Sequence, residues 1–509
     1  MPDILMNEQG ISKLLKNLHP DKAAGPDEIR PIILKELHAE IAPILQVIFQ
    51  ASLDTGTLPD DWTKARVAPV YKKGDKHTAA NYRPISLTCI CCKLMEHIVS
   101  SNLVKFLNAN NVLYDLQHGF REKRSCETQL VCLVEDLARN LQNCRQTDLV
   151  LLDFSKAFDK VNHEKLLLKL HQYGIRGNIL RWVRGFLCYR SQTVAVDGEE
   201  SDEVPVTSGV PQGSVLGPIL FLIYINDLPD HVRSKVRLFA DDTALYLTLD
   251  TPDSYNTLQK DLDNLQIWES LWDMEFNPSK CQVIQVTRSR NPIDTVYTLH
   301  NETLVVTPHA KYLGVTIANN LSWSTHIDNI TNKGQRSLGF IKRNIKSRHV
   351  KTRELAYKTI VRPQLEYASS CWDPYTKDHI TKLEAVQRRA ARWCLNDFSP
   401  YSSVSSMLDR LGWQSLQQRR STARVVLLYK ITYQLVAIQM PPHFLKTTRT
   451  SLRNHSLHYH PIYTNRDYYK FSFFPRTVVF WNHLPNSIVN IKDLDAFKDA
   501  VSKVPHFNP

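Results

Sequence analysis

The sequence lacks the features that mark a zinc-binding, secreted or membrane-spanning protein. Its ten cysteines are irregularly spaced, and Cys89-x-Cys91-Cys92 has no second CxxC pair to complete a zinc site. The N-terminus has neither the basic nor the apolar segment of a signal peptide. The longest apolar run, residues 215–225, is shorter than the ~20 residues of a membrane span. We therefore expect reduced thiols, a cytoplasmic and nuclear location, and no membrane partner.

Internal repeats and low-complexity tracts are also missing, and the informative part of the composition is the distribution of charge. The 509 residues carry a net charge of +12. Residues 321–509 contain 29 Lys and Arg against 12 Asp and Glu, whereas residues 1–320 contain 34 against 39. A basic C-terminal part beside a slightly acidic N-terminal part favours a nucleic acid partner for the former; a solvated basic surface is the alternative.

Two acidic positions stand out because each lies beside a strand too apolar to face water. Asp153 follows residues 149–152, and the pair Asp241-Asp242 lies between the apolar segments 236–239 and 243–249. Taken singly, the first is typical of a helix N-cap and the second of a hairpin turn. Carboxylates that converge from neighbouring strands can instead hold two divalent cations about 4 Å apart, an arrangement that serves nucleotidyl transfer.

Three segments around these carboxylates decide between the alternatives. FADD at 239–242, DFSKAFD at 153–159 and SGVPQGSVLGP at 208–218 resemble the palm motifs of reverse transcriptases from non-LTR retrotransposons, the LINE-type, Jockey-like elements. Further segments resemble other parts of the same family: DKAAGPD at 21–27, NYRPISL at 81–87, QHGFR at 117–121, NPSK at 277–280, KYLGV at 311–315, and Arg476 with WNHLP at 481–485.

The resemblance implies an α+β fold of the right-hand polymerase type, with fingers and an antiparallel palm sheet followed by a mainly helical thumb and C-terminal region. We predict an N-terminal extension over 1–52 and a reverse transcriptase domain over 53–317. A basic helical thumb over 318–440 and a tail segment over 441–509 follow. Helical stretches rich in Arg and Lys after residue 320 agree with this division.

The resemblance also implies roles for residues near the carboxylates. Asp153, Asp241 and Asp242 form the catalytic set and hold the metal ions, with the backbone carbonyl of Phe154 as a further ligand. Lys280 is a candidate general acid for the pyrophosphate, and a surface lysine after a proline turn is the alternative. Mg²⁺ is the expected cofactor, as two ions, with Mn²⁺ as a substitute.

Other residues are expected to hold the substrates. Lys72 and Arg83 correspond to fingers residues that grip the triphosphate, with Lys73 as an alternative to Lys72. Phe158 corresponds to an aromatic gate against a 2′-hydroxyl, and a core phenylalanine is the alternative. Gln212 and Gly213 are expected beside the template–nucleotide pair. Candidates for contact with the primer or heteroduplex are Tyr312, Leu313, Gly314, Arg388 and Arg389, followed by Arg336, Lys342, Arg343, Arg392, Arg419 and Arg420.

The function implied is RNA-directed DNA polymerisation, with an RNA template, a DNA primer and dNTPs as partners and retrotransposition as the setting. No nuclease motif is recognisable, so either a separate endonuclease nicks the primer strand or the sequence is a truncated part of a longer element. An inactive or co-opted copy that binds RNA without synthesis is the alternative. A viral RNA polymerase is disfavoured because Ala240 replaces the glycine of its Gly-Asp-Asp, and a group II intron maturase because the loop at 208–218 and the tail are Jockey-like.

Overall fold

A layer of four helices forms the N-terminal part of the protein. The computed structural model describes residues 1–444, 455, 457–464 and 466–504. The pattern over residues 32–49 predicts one amphipathic helix, but the structure interrupts it at Leu37, whose ψ of 28° is not helical. The helices are α1 (Glu8–Lys16), α2 (Pro31–Glu36), α3 (His38–Thr55) and α4 (Asp60–Thr63).

The first sheet is a mixed sheet in the order β2-β1-β4-β5, with β6 paired to β4. A polar loop over 72–81 joins the antiparallel strands β1 and β2. The Asp-Gly pair at 197–198 predicts a tight hairpin turn, and both residues have the positive φ that such a turn requires between β4 and β5. The strands are β1 (Lys64–Tyr71), β2 (Tyr82–Leu87), β4 (Arg190–Val196), β5 (Glu199–Glu200) and β6 (Val204–Val206).

The second sheet, in the order β12-β9-β3-β8-β7, is built around β3. This strand is antiparallel to both β8 and β9, and its last residue, Leu152, pairs with Thr243. The end of β3 therefore lies beside the start of β8. The strands are β3 (Thr147–Leu152), β7 (Lys235–Phe239), β8 (Asp242–Thr248), β9 (Gln282–Val286) and β12 (Val305–Val306).

Both faces of this second sheet are covered, which explains why residues 149–152 of β3 form an unbroken apolar run. Val150 and Leu152 point into one hydrophobic core, while Leu149 points into another on the opposite face. The helices of this region are α5 (Ile90–Ala109), α6 (Cys126–Gln142), α7 (His163–Gln172), α8 (Gly177–Leu187), α9 (Gly217–Tyr224) and α10 (Pro252–Trp272), with 3-10 turns at Ala79–Asn81 and Leu228–His231.

Two small hairpins precede a largely helical C-terminal part. They are β10 (Thr298–Leu299) with β11 (Glu302–Thr303), and β13 (His309–Tyr312) with β14 (Val315–Ala318). The helices that follow are α11 (Ser324–Asn344), α12 (Val350–Ala356), α13 (Arg362–Glu366), α14 (Ser369–Trp372), α15 (Lys377–Leu395), α16 (Val404–Leu411), α17 (Leu416–Thr432), α18 (Asp467–Lys470), α19 (Phe473–Asn482), α20 (Asn486–Val489) and α21 (Leu494–Ser502), with a π-helical turn at Tyr357–Val361.

Among the described residues, no helix is both long and apolar enough to cross a membrane. The C-terminal helices share the second core with α6 and with one face of the second sheet. This shared core includes residues on both sides of the predicted boundary near residue 317. The predicted domain boundaries stay predictions.

A buried cluster of four charges ties the C-terminal helices together. The carboxylate of Asp373 accepts from Arg420 Nε at 2.7 Å and from Arg424 Nε at 2.9 Å. Arg476 Nη1 forms an ion pair with the same carboxylate at 3.2 Å and donates to the Asp373 carbonyl at 3.0 Å. Arg420 is 0% exposed. It was one of the arginines expected to contact phosphates, and the structure corrects this expectation, because its guanidinium is enclosed with Asp373.

Candidate active site

The pair Asp241-Asp242 lies at the tip of the hairpin formed by β7 and β8. Phe239 pairs with Asp242, so Ala240 and Asp241 form a two-residue turn. Ala240 has a φ of 53°, a left-handed conformation that costs an alanine about 1–2 kcal/mol. Its amide donates to Oε1 of Gln117 at 2.9 Å, a contact that offsets part of this strain.

The segment at 117–119 holds this hairpin from the side. His118 N donates to Leu238 O at 2.7 Å, and Gln117 Oε1 also accepts from Gly119 N at 2.8 Å. A Cβ added at Gly119 would lie 2.3 Å from Ala240 N, so only glycine allows this approach. The sequence showed these residues as part of a motif but gave no signal of their contact with the catalytic turn.

The ionisation of Asp241 and Asp242 responds to burial and to the charges around the turn. Burial and the charge of Asp153 raise the pKa of Asp241, whereas Arg83 and Lys72 act to lower it. Partial burial, followed by repulsion from Asp241 and Asp153, raises the pKa of Asp242 to about 6. The structure thus brings together the carboxylates and the two basic fingers residues predicted to bind the triphosphate.

This donor set fits divalent cations that share their coordination with a substrate. Among the described residues, no group of three or more Asp, Glu, His or Cys side chains forms a ready-made metal site. Mg²⁺ is characteristically held by one or two carboxylates, with substrate phosphates and water as the other ligands. A cation bound among Asp153, Asp241 and Asp242 would offset the repulsion between these carboxylates and so favour their ionised forms.

Asp153 is also in contact with the loop that follows α10. Its Oδ1 accepts from Lys280 Nζ at 3.1 Å, and its backbone carbonyl accepts from Asn277 N at 2.8 Å. Phe154 stacks on Phe276 at a centroid distance of 4.2 Å. The segments 153–155 and 275–277 pair through two backbone hydrogen bonds, from Asn277 N to the Asp153 carbonyl and from Ser155 N to the Glu275 carbonyl. The Phe154 carbonyl takes no part in this pairing.

Phe158 is fixed by other aromatic rings but is not fully enclosed. Its ring stacks on Phe221 of α9 at 4.3 Å, and Phe120 contacts it edge-on at 6.2 Å. One part of the ring therefore packs on the core, as expected of a core phenylalanine, while its partial exposure suits a steric gate. Both interpretations of this residue agree with its surroundings.

The loop at 208–213 joins the first sheet to the DFSKAFD segment. Gln212 Nε2 donates to Asp159 Oδ1 at 2.9 Å, and the Gln212 carbonyl accepts from Ser86 N at 2.7 Å. Gly213 has a φ of 117°, and a Cβ there would lie 2.7 Å from Ser86 O. Residues of this loop line a cavity of about 330 Å³ together with Asp159 and Ser86. Asp159, which the sequence reasoning did not single out, therefore positions Gln212.

Comparison with known proteins agrees with this geometry. Residues 70–317 match the family model described as "Reverse transcriptase (RNA-dependent DNA polymerase)". Residues 70–317 are thus similar to reverse transcriptases. The α+β right-hand architecture and the resemblance to non-LTR enzymes are thereby confirmed, and divalent metal ions are the general cofactors of this family.

Several relatives of this reverse transcriptase come from Drosophila melanogaster. It is 29% identical over 397 residues to the RNA-directed DNA polymerase from mobile element jockey, covering 75% of this chain and 43% of that one. It is 28% identical to the probable RNA-directed DNA polymerase from transposon X-element, covering 75% of this chain and 43% of that one. It is 26% identical to the probable RNA-directed DNA polymerase from transposon BS, covering 81% of this chain and 47% of that one. The chain thus spans less than half the length of these relatives. A solved structure of apo telomerase from Candida tropicalis aligns with a TM-score of 0.42 at 10% identity, covering 78% of this chain and 68% of that one.

The hairpin of β13 and β14 is the predicted primer grip. Its turn lies at the surface, whereas its tyrosine is buried. The Tyr312 side chain is 3% exposed, and its hydroxyl contacts Gln129 Nε2 at 3.2 Å. Direct contact of this side chain with nucleic acid is therefore excluded in this conformation. Leu313 and Gly314 lie at the surface, where Tyr367 donates to the Leu313 carbonyl at 3.1 Å.

A polar groove begins between this hairpin and helix α11. A cavity of about 470 Å³ is lined by Lys311 and Gly314 on the hairpin and by Lys333 and Arg336 on α11, and Tyr367 completes its wall. Arg388 and Arg389 are exposed on the neighbouring helix α15, as a role in nucleic acid binding requires. Their predicted contacts stay predictions.

Proposed function

We propose that this protein is an RNA-directed DNA polymerase that adds dNMPs to a primer 3′ end on an RNA template. The observation that carries the proposal is the meeting of three carboxylates with two basic residues of the fingers. Burial and the charge of Asp153 raise the pKa of both Asp241 and Asp242, whereas the charges of Arg83 and Lys72 act to lower that of Asp241. A cluster of carboxylates faced by cations suits a metal-bound triphosphate.

Asp153 and Asp241 would hold two Mg²⁺ ions, with Asp242 in support and the Phe154 carbonyl as an additional ligand. The ions supply charge stabilisation for the attacking 3′-hydroxyl and the departing pyrophosphate. Arg83 presents a planar donor fork to the phosphates, and Lys72 presents a single ammonium. Lys280 Nζ, 3.1 Å from Asp153 Oδ1, would deliver a proton to the pyrophosphate.

Selection of the substrate rests on the aromatic and loop residues. Phe158, which is held by Phe221, would press against the sugar and exclude a 2′-hydroxyl. Gln212 and Gly213 would lie against the base pair formed by the incoming nucleotide and the RNA template. Leu313 and Gly314 would position the DNA primer, and Arg388 and Arg389 would contact the heteroduplex backbone. In retrotransposition the protein would be present in both the cytoplasm and the nucleus. The primer strand would be nicked by an endonuclease, either a separate protein or part of a longer chain.

Primer extension on poly(rA)/oligo(dT) with Mg²⁺ and dTTP tests the proposal. The parent protein is expected to extend the primer, and Asp241→Ala is expected to abolish extension. Asp250→Asn is the matched control, because Asp250 lies just beyond the other end of β8 and pairs with Arg145 at the surface. Extension by Asp241→Ala at the parental rate would contradict the assigned chemistry. Binding of heteroduplex without any synthesis by the parent would support the inactive copy instead.

A further inference from the structure

The segment from residue 329 to residue 353 contains no acidic residue. It holds eight basic residues, which belong to α11, to the loop after it and to α12: Lys333, Arg336, Lys342, Arg343, Lys346, Arg348, Lys351 and Arg353. Of these, Arg353 is buried against backbone carbonyls. The remaining seven form an uncompensated positive surface, which favours a polyanion as its partner.

A groove along α11 leads from the primer-grip hairpin towards the end of this helix. The cavity at the hairpin continues into a second one of about 730 Å³, and both are lined by Asn329 and Arg336. Gln335 and Gly339 line the second cavity, and Lys342 lies one turn further along the same helical stripe. From the hairpin to Lys342 the helix covers roughly 25 Å.

Beyond the residues that line the groove, Lys342 approaches a loop that exposes two aromatic rings. This aromatic loop (residues 396–402) connects α15 to α16. Phe398 is 60% exposed and Tyr401 is 96% exposed. Lys342 Nζ lies 6.0 Å from the centre of the Phe398 ring, and burial together with the charge of Arg389 lowers the pKa of Lys342. Aromatic rings and cations are thus adjacent on one surface.

The backbone of the aromatic loop is held in place although its rings are exposed. Arg392 Nη1 donates to the Ser399 carbonyl at 2.8 Å. The carboxylate of Asp397 is directed to the loop itself, where it accepts from Ser399 N at 3.1 Å and Ser402 Oγ at 2.9 Å. These contacts present the rings at little further cost in conformational entropy.

We propose that the aromatic loop is a stacking platform for an unpaired nucleic acid strand, whose phosphates lie along the basic end of α11. Exposed rings bind the faces of bases, and in a duplex these faces are already covered by neighbouring base pairs. Lys342 and Arg343 supply the cations for the backbone. The site lies outside the catalytic centre and does not depend on polymerase activity.

Binding of labelled 12-nucleotide strands to the full chain, followed by fluorescence anisotropy, tests this site. Phe398→Ser with Tyr401→Ser is expected to raise the Kd for single-stranded RNA by about tenfold or more. The Kd for a blunt RNA–DNA heteroduplex is expected to change less than about twofold. In Lys342→Gln with Arg343→Gln, the slope of log K against log salt should fall by about 0.7 for each phosphate contact removed.

Two controls separate stacking from damage to the fold. Tyr463→Ser removes an aromatic ring that is 94% exposed at another place and should leave all binding unchanged. Phe398→Trp with Tyr401→Trp keeps the stacking faces and should retain the parental affinity. A DNA strand of the same sequence distinguishes the sugars: equal weakening assigns the loop to any unpaired strand, and weakening for RNA alone assigns it to RNA.

Two results would overturn the inference. One is an unchanged Kd for single-stranded RNA in the double serine variant. The other is an equal loss of single strand and heteroduplex, which would make the loop part of the duplex track. Primer extension on a short template, measured in parallel, reports on the polymerase proposal separately, because the platform is not needed there.

Discussion

Replacing Gly119 by alanine tests whether the segment at 117–119 positions the catalytic turn. The new Cβ would lie 2.3 Å from Ala240 N and 2.9 Å from the carbonyl carbon of Phe239. Ordinary van der Waals contact requires about 3.4 Å, so the turn or the segment must move by roughly 1 Å. A misplacement of about 1 Å in a catalytic group can reduce the rate about 100-fold, which corresponds to ~2.7 kcal/mol in activation free energy.

Single-turnover primer extension is the suitable assay, because it isolates the chemical step from product release. Gly119→Ala is expected to lower the maximal single-turnover rate about 100-fold while heteroduplex binding and the melting temperature change little. Gly10→Ala is the matched control, since a Cβ at Gly10 meets nothing closer than Asn7 Cβ at 3.8 Å. A parental rate in Gly119→Ala would refute the reasoning, and so would an equal loss in the control.

Three further outcomes follow from contacts described above. Asp373→Asn should lower the free energy of unfolding by about 3–5 kcal/mol in urea titrations, because it leaves buried guanidiniums without a carboxylate. Burial acts to raise the pKa of Asp373, but the three arginines outweigh it and lower this pKa. The stability that Asp373 contributes is therefore present above its ordinary pKa near 3.9 and is lost as the pH falls towards its pKa in the folded protein. The Asp373→Asn variant should not show this acid-dependent loss, and an equal acid dependence in both proteins would contradict the assignment. Phe158→Val should reduce discrimination against rNTPs about 10- to 200-fold in competition assays, whereas unchanged discrimination would favour a core role. Tyr367→Phe removes the hydrogen bond to Leu313 and should raise the KM for primer about fivefold with kcat unchanged; an unchanged KM would exclude this role.

The convergence of Asp153 with Asp241 and Asp242 could be predicted because each lies beside an apolar strand. Strands that apolar must be buried, and buried neighbouring strands bring their ends together. The contact between Gln117 and Ala240 could not be predicted in the same way. It joins residues 123 positions apart through one side-chain oxygen, and no periodicity in the sequence records such a contact.

Burial of polar residues was the other part that the sequence did not reveal. Arg420 lies in a basic helical stretch that reads as a phosphate-binding surface, yet Asp373 holds it in the core. Tyr312 belongs to a motif associated with the primer, yet its ring supports the hairpin from inside. Which face of an element meets water depends on partners distant in the chain, here Asp373 for Arg420 and Gln129 of α6 for Tyr312, rather than on the residues nearby.

The central position of β3 has a consequence for how the protein is made. Both strands that flank β3 come later in the chain, and β9 begins about 130 residues after β3 ends. At typical rates of translation, this apolar strand waits on the order of ten seconds for its second neighbour. During that interval its unpaired edge can associate with other chains. Successful synthesis of the enzyme therefore depends on protecting the strand that carries Asp153, before a catalytic centre exists.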